Sequence, residues 1–232
     1  MTQAAATAGA SIVYKPRDPA GLTRVLATLL YIDMAVGALN GAGDAVYLAG
    51  LSRYDPATPA SYGVALPGEN AAVDLVLAAI DAAQVVTFLV CGFVCLKWIY
   101  RASLNAHALA EGLRTSPGWS VGWFFVPFAN LWKPFQGLRE AWQASADPKA
   151  WREQPTPELF RWWWGLWLVS SILGNIAARL QTGASSVGAE MFAGGLNLVN
   201  DLIGIPLDLV VLLIARRLCA LQVSALSQRA FD

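Results

Sequence analysis

Long apolar runs interrupted by polar connections repeat four times along the chain, at about 22–51, 71–100, 159–182 and 193–221. Crossing a ~30 Å hydrocarbon core takes about 20 helical residues, and each run is long enough. A water-soluble helical bundle is the competing reading. It needs a polar face on every helix, and stretches such as Val85–Val94 and Leu202–Ile214 offer too little. The pattern therefore predicts an all-α polytopic membrane protein with four transmembrane helices. Segment 116–145, between the second and third runs, breaks the pattern and predicts an interfacial amphipathic segment.

Composition agrees. Of 232 residues, 56% are hydrophobic and 14% charged, against about 25% charged in soluble domains. The net charge is zero, so nothing draws the chain towards nucleic acid, but the cations are unevenly spread. The start carries Lys15, Arg17 and Arg24, and the end Arg216, Arg217 and Arg229. The middle connection holds Lys97, Arg101, Arg114, Lys133, Arg139, Lys149, Arg152 and Arg161. The other two connections have little beyond Arg53 and Arg179. Positive charge favours the cytoplasmic side, which predicts a cytoplasmic N-terminal segment (1–21), membrane domain (22–222) and cytoplasmic tail (223–232). The first 20 residues lack the apolar core of a signal peptide, so the first run is expected to remain in the mature protein. The loop Ser52–Asn70 is expected to be irregular and external, and Gly183–Glu190 short and external.

Segment 116–145 opens with Ser116 and Pro117, a hydroxyl cap followed by proline in the first turn. Trp119, Trp123, Phe124, Phe125, Phe128 and Trp132 follow, broken by Pro127 and Pro134. Too short and too proline-rich to span, they predict a partly inserted or surface-lying segment. Leu131, Phe135, Leu138 and Trp142 form one helical stripe flanked by Lys133 and Arg139, a pattern suited to the headgroup level beside anionic lipid. Trp162, Trp163, Trp164 and Trp167 read as an aromatic belt at the same interface. Single-stranded nucleic-acid binding is the weaker reading of the same mix. Asn130 is expected to cap a helix beginning near Leu131, with ligand binding as the alternative.

The string from Pro117 to Trp142, PGWSVGWFFVPFANLWKPFQGLREAW, resembles the signature of a bacterial membrane family known as domain of unknown function 4328. The matching positions are Gly122, Trp123, Pro127, Phe128, Asn130, Leu131, Trp132, Lys133 and Pro134. The resemblance implies an integral fold in a bacterial inner membrane and brings no activity, cofactor or catalytic residue with it.

Six aspartates lie inside the runs: Asp33, Asp44, Asp74, Asp81, Asp201 and Asp208. Each costs about 2.5–3.5 kcal/mol at a helix centre, so they should face protein or water. Asp33, Asn40 and Asp44 share a face, as do Asp74, Asp81 and Gln84. Asn197, Asn200, Asp201, Gly204 and Asp208 form a third stripe, and Ser171, Asn175, Ala178, Arg179 and Thr182 a fourth. Turned together, these faces predict a bundle with a polar axis. At ~1.5 Å per residue, Asp44, Asp74 and Arg179 fall towards the external side, with Asp201 deeper and Asp33, Asp81 and Asp208 near mid-membrane. Two layers are expected: ion pairs around Arg179, and inner acids without a basic partner. The inner acids either lock helices by hydrogen bonding or form a proton or cation pathway.

Cys91, Cys95 and Cys219 read as small apolar residues, and the lone His107 as an interfacial histidine. No P-loop, nucleophile elbow or HExxH pattern is present. No enzyme, metal or cofactor is expected. The leading expectation is a membrane interaction, organising or regulatory subunit engaging lipid and a second copy or another membrane protein. Gly37, Gly41 and Gly43, with Gly194, Gly195 and Gly204, would permit close helix approach. The alternative is an oligomeric proton- or cation-conducting channel or small transporter using Asp33, Asp81 and Asp208.

Overall fold

A computed structural model describes residues 14–60 and 70–229. Among them every regular element is helical: α1 (Ala20–Leu51), α2 (Ala71–Leu109), α3 (Pro117–Gly122), α4 (Lys133–Ala146), α5 (Glu158–Thr182) and α6 (Val187–Arg229). Short 3-10 turns at Trp123–Phe125 and Ala129–Leu131 join α3 to α4. Much of the expected first loop, 61–69, and the chain ends at 1–13 and 230–232 lie outside the described residues.

Three helices, α1, α2 and α6, are long and apolar enough to cross a membrane. At ~1.5 Å per residue, the 39 residues of α2 and 43 of α6 make rods of about 58 and 65 Å, well beyond a ~30 Å hydrocarbon core. Both therefore extend past the expected ends of their runs, at Tyr100 and Leu221. The 25-residue α5 matches its expected bounds but falls short of the other three in apolarity. Its four tryptophans and its Ser171–Asn175–Arg179 face account for the difference.

The four long helices alternate in direction and stand in a row ordered α2, α1, α6, α5. Each packs mainly on its immediate neighbours, and the outer helices α2 and α5 have at most marginal contact with each other. The four polar faces expected to turn together around one axis are instead distributed along a row. Contacts between helices far apart in sequence decide this, and periodicity within one helix carries no information about them.

The row is tied at both ends. At one end α3 and α4 wedge against α2 and α6 (the platform end). There Leu26, Leu30, Trp98, Ile99, Leu138, Trp142, Phe160, Trp163, Leu212, Ile214 and Leu218 form the main core. At the opposite end Leu51, Ala60 and Val187 pack with Tyr47, Tyr54 and Met191. Segment 52–60 folds over the start of α6, where the Pro56 and Thr58 carbonyls accept from Gly188 and Val187 N–H at 3.0 Å each. They supply partners that the first turn of a helix lacks on its own.

Along the middle of α2, by contrast, Val85, Val86, Phe88, Leu89 and Phe93 are all more than half exposed. In water such a stripe would be an aggregation liability; against hydrocarbon it is the expected surface.

Candidate functional site

Two regions hold the residues singled out by sequence: an acidic track between the long helices and the aromatic platform.

The track lies mainly along the α1–α6 seam. Gly41 brings the helices close, with its Cβ position 3.6 Å from Asp201 Cβ. Asn40 Nδ2 donates to Asp201 Oδ2 at 2.9 Å. One level nearer the platform, Asp33 of α1 and Asp208 of α6 lie within electrostatic reach of each other across the seam. Just before Asp208, Pro206 lies inside α6 and cannot donate to the Leu202 carbonyl. Asp44 lies within electrostatic reach of Asp201 and Asp81.

Of the three acids expected at one depth, Asp33 and Asp208 lie near each other and Asp81 does not join them. It sits exposed on α2, on the level of Asp44 and Asp201. Asp74 belongs to the first turn of α2, where Asn70 is the cap and accepts from Ala72 N–H; a carboxylate there suits the positive helix end. The expected ion-pair layer around Arg179 is absent among the described residues. Arg179 is exposed on α5, outside the α1–α6 seam, and the ion pair that does form joins Glu158 to Arg161 at 2.9 Å. α5 contributes Gln181 instead, which accepts from Asn197 at 3.3 Å.

Several acceptors on this track have no hydrogen-bond partner although buried: Asp33 Oδ1, Asn40 Oδ1, Asp44 Oδ2, Gln84 Oε1 and Asn200 Oδ1. Buried acceptors are costly unless satisfied, so the track is suited to receive donors such as protons or water. Among the described residues no three His, Cys, Asp or Glu side chains converge as a metal-ion site.

The platform starts as expected, with Ser116 capping α3 by accepting from Trp119 N–H at 3.5 Å. Trp119 and Trp123 rings lie 4.4 Å apart, and Lys133 Nζ sits 5.7 Å from the Trp123 ring centre. Pro127 is exposed, and Phe128 after it takes φ +63°, a strained region for a residue with a Cβ. Asn130 does not cap α4. It lies within a 3-10 turn, α4 begins at Lys133 with Trp132 at its cap, and no side chain caps it there. Pro134 occupies the first turn and is buried, a position that proline tolerates well.

The stripe on α4 differs from a helix lying on lipid. Leu138 and Trp142 are buried in the main core, and Gly137, Ala141, Ala144 and Ser145 are buried as well. Most of the α5 tryptophan cluster forms the wall that receives this segment. Trp164 donates to the Leu131 carbonyl at 3.0 Å, Phe124 meets Trp167 edge-on at 6.0 Å, and Trp142 meets Phe160 at 5.4 Å. Trp162 stays outward at 64% exposure. The outward surface of the platform consists of Trp119, Phe125, Phe128, Leu131 and Trp132, each between 45% and 78% exposed.

Beneath the platform lies a buried polar knot that the sequence did not single out. Asn105 accepts from Arg17 N–H and donates to the Arg17 carbonyl, both at 2.8 Å, and donates to Gln222 Oε1 at 3.0 Å. Gln222 Nε2 donates to the Ala102 carbonyl at 2.8 Å and to Ser145 Oγ at 3.2 Å. A signal was available: Asn105 continues the buried face of Trp98 and Ala102, and Gln222 that of Leu218.

No curated protein and no solved structure matches the chain. The family described as "Domain of unknown function (DUF4328)" matches residues 65–220, from before α2 into α6 and including the whole platform. With most of its length matched, the chain is a member of the DUF4328 family.

Proposed function

We propose that this chain is a non-catalytic organising or regulatory subunit of the cell inner membrane, crossing it four times with both termini and the platform on the cytoplasmic side. One observation carries this reading. A segment anchored in the protein core turns Trp119, Phe125, Phe128, Leu131 and Trp132 outward together. Aromatic side chains on a rigid base suit the headgroup layer, where one end is apolar and the other wet. The cations Arg24, Arg101, Arg114, Lys133 and Arg139 belong to the same end of the row, which supports the cytoplasmic side and contact with anionic lipid. Packing of α5 along α6 supports a fourth crossing, since 25 residues cover about 37 Å. The open row supports self-association, because the outer helices carry exposed Asp81 and Arg179, which are costly against hydrocarbon.

The test is a triple variant, Phe125→Ser, Phe128→Ser and Trp132→Ser, followed by native gel separation of solubilised membranes. Assemblies containing the chain should fall several-fold while its membrane insertion persists. Unchanged assembly contradicts the reading.

A second reading rests on the unpartnered acceptors along the α1–α6 seam: a proton or cation pathway through Asp33, Asp208, Asp201 and Asp44, completed in an oligomer. Reconstituted liposomes test it. Flux that disappears in Asp33→Asn and Asp208→Asn supports the pathway, and absence of flux in the unaltered protein rejects it.

A further inference from the structure

Between the loop after α2 and the first two turns of α4 lies a cavity of about 200 Å³. Arg114 and Thr115 line it from the loop, and Lys133, Gln136, Arg139 and Glu140 from α4. Three cations against one carboxylate give it a positive balance. The carboxylate is also occupied: Glu140 Oε2 accepts from the N–H groups of Arg114 and Thr115 at 3.1 and 3.0 Å. Glu140 therefore fixes the loop that presents Arg114. Arg139 is different. Its Nε is buried and has no hydrogen-bond partner, although a buried guanidinium donor normally has one.

Guanidinium groups match phosphate oxygens in paired geometry, lysine adds a point charge, and Thr and Gln side chains add neutral donors. The uncapped N-terminus of the 14-residue α4 adds a positive partial charge. The volume is below the roughly 300–1,000 Å³ of sites that enclose a whole drug-sized ligand, so a charged headgroup fits and a large metabolite does not. What surrounds the cavity selects the source. Trp123, also in its wall, carries the Lys133 ammonium on its ring. The adjoining Trp119, Phe125, Phe128 and Trp132 face outward, as a lipid's glycerol and acyl region requires.

We infer that this cavity binds the phosphate of an anionic phospholipid, with Arg139, Lys133 and Arg114 as its cationic contacts and the neighbouring aromatics against the lipid's apolar part. It deepens the proposed engagement of the leaflet by the platform, on which it rests, by assigning that engagement a defined headgroup site.

The full-length protein in uncharged detergent is titrated with dioctanoyl phosphatidylglycerol, dioctanoyl phosphatidylcholine or inorganic phosphate, reading the thermal midpoint. The glycerol lipid should raise the midpoint saturably, with the choline lipid and free phosphate at least about tenfold weaker. Arg139→Gln and Lys133→Gln should each weaken the glycerol lipid about tenfold, and Arg217→Gln, an exposed cation of the same end, should not. Should Arg139→Gln fail to fold, Lys133→Gln decides. Inorganic phosphate acting as strongly as the lipid overturns the lipid source. Absence of any shift, equal response to both lipids, or unchanged affinity in the cavity variants overturns the site. Micelles contain no leaflet to engage. A failure of the platform reading in membranes thus leaves this titration unmoved, and the two outcomes are distinguishable.

Discussion

Asn105 and Gln222, 117 residues apart in sequence, hydrogen-bond through their side chains at 3.0 Å inside the protein, with 0% and 1% of their surfaces exposed. Both are fully engaged, so the pair fastens the N-terminal segment, α2, α4 and α6 at one point. Gln222→Leu leaves the Ala102 carbonyl and an Asn105 donor without that partner. It should cost about 1–3 kcal/mol, measured by denaturation in detergent. Loss below about 0.5 kcal/mol would show that the knot does not hold the platform end together.

Phe128 combines strain with exposure: its φ is +63° and it is 78% exposed. Phe128→Gly releases a backbone that costs of order 1 kcal/mol or more and removes little buried surface. Stability should hold or rise by up to about 1 kcal/mol, while association with phosphatidylglycerol vesicles weakens. A clear fall in the thermal midpoint would contradict this account of the turn.

At the opposite end, Gly188 faces rigid neighbours. A Cβ there would lie 3.2 Å from both Pro56 Cβ and Pro56 O, whose carbonyl accepts from the Gly188 N–H. Gly188→Val should push segment 52–60 off the start of α6 and cost about 1–3 kcal/mol. Faster proteolysis in that segment is the readout, and an unchanged cleavage rate would argue against the docked loop.

Arg179 is exposed and forms no ion pair among the described residues. Arg179→Gln should therefore change the stability of the solubilised monomer by no more than about 0.5 kcal/mol. A loss above 1 kcal/mol would restore the ion-pair layer expected from sequence.

The helices themselves were legible because length and apolarity are local properties. Ser116–Pro117 marked the start of α3 correctly for the same reason: a cap needs only its own turn. What could not be read was which helix stands beside which. Asp33, Asp81 and Asp208 share an estimated depth, but depth along an axis does not say that α2 meets α1 while α5 meets α6. The stripe on α4 was found, and its surroundings were not. Leu138 and Trp142 would look the same facing acyl chains or Phe160, and the overlong α2 and α6 together with the start of α5 create a protein surface for them. Asn105 and Gln222 lie beyond the apolar runs, where polar residues are ordinary.

The proposed topology depends most on α5 carrying the chain from the platform to the opposite end of the row across the bilayer. With Cys91, Cys95 and Cys219 replaced by serine, single cysteines at the exposed positions Lys149 and Ser185 can be tested with an impermeant maleimide in right-side-out and inverted vesicles. Lys149→Cys should label only in inverted vesicles and Ser185→Cys only in right-side-out ones. Labelling of both from the same face would contradict the arrangement.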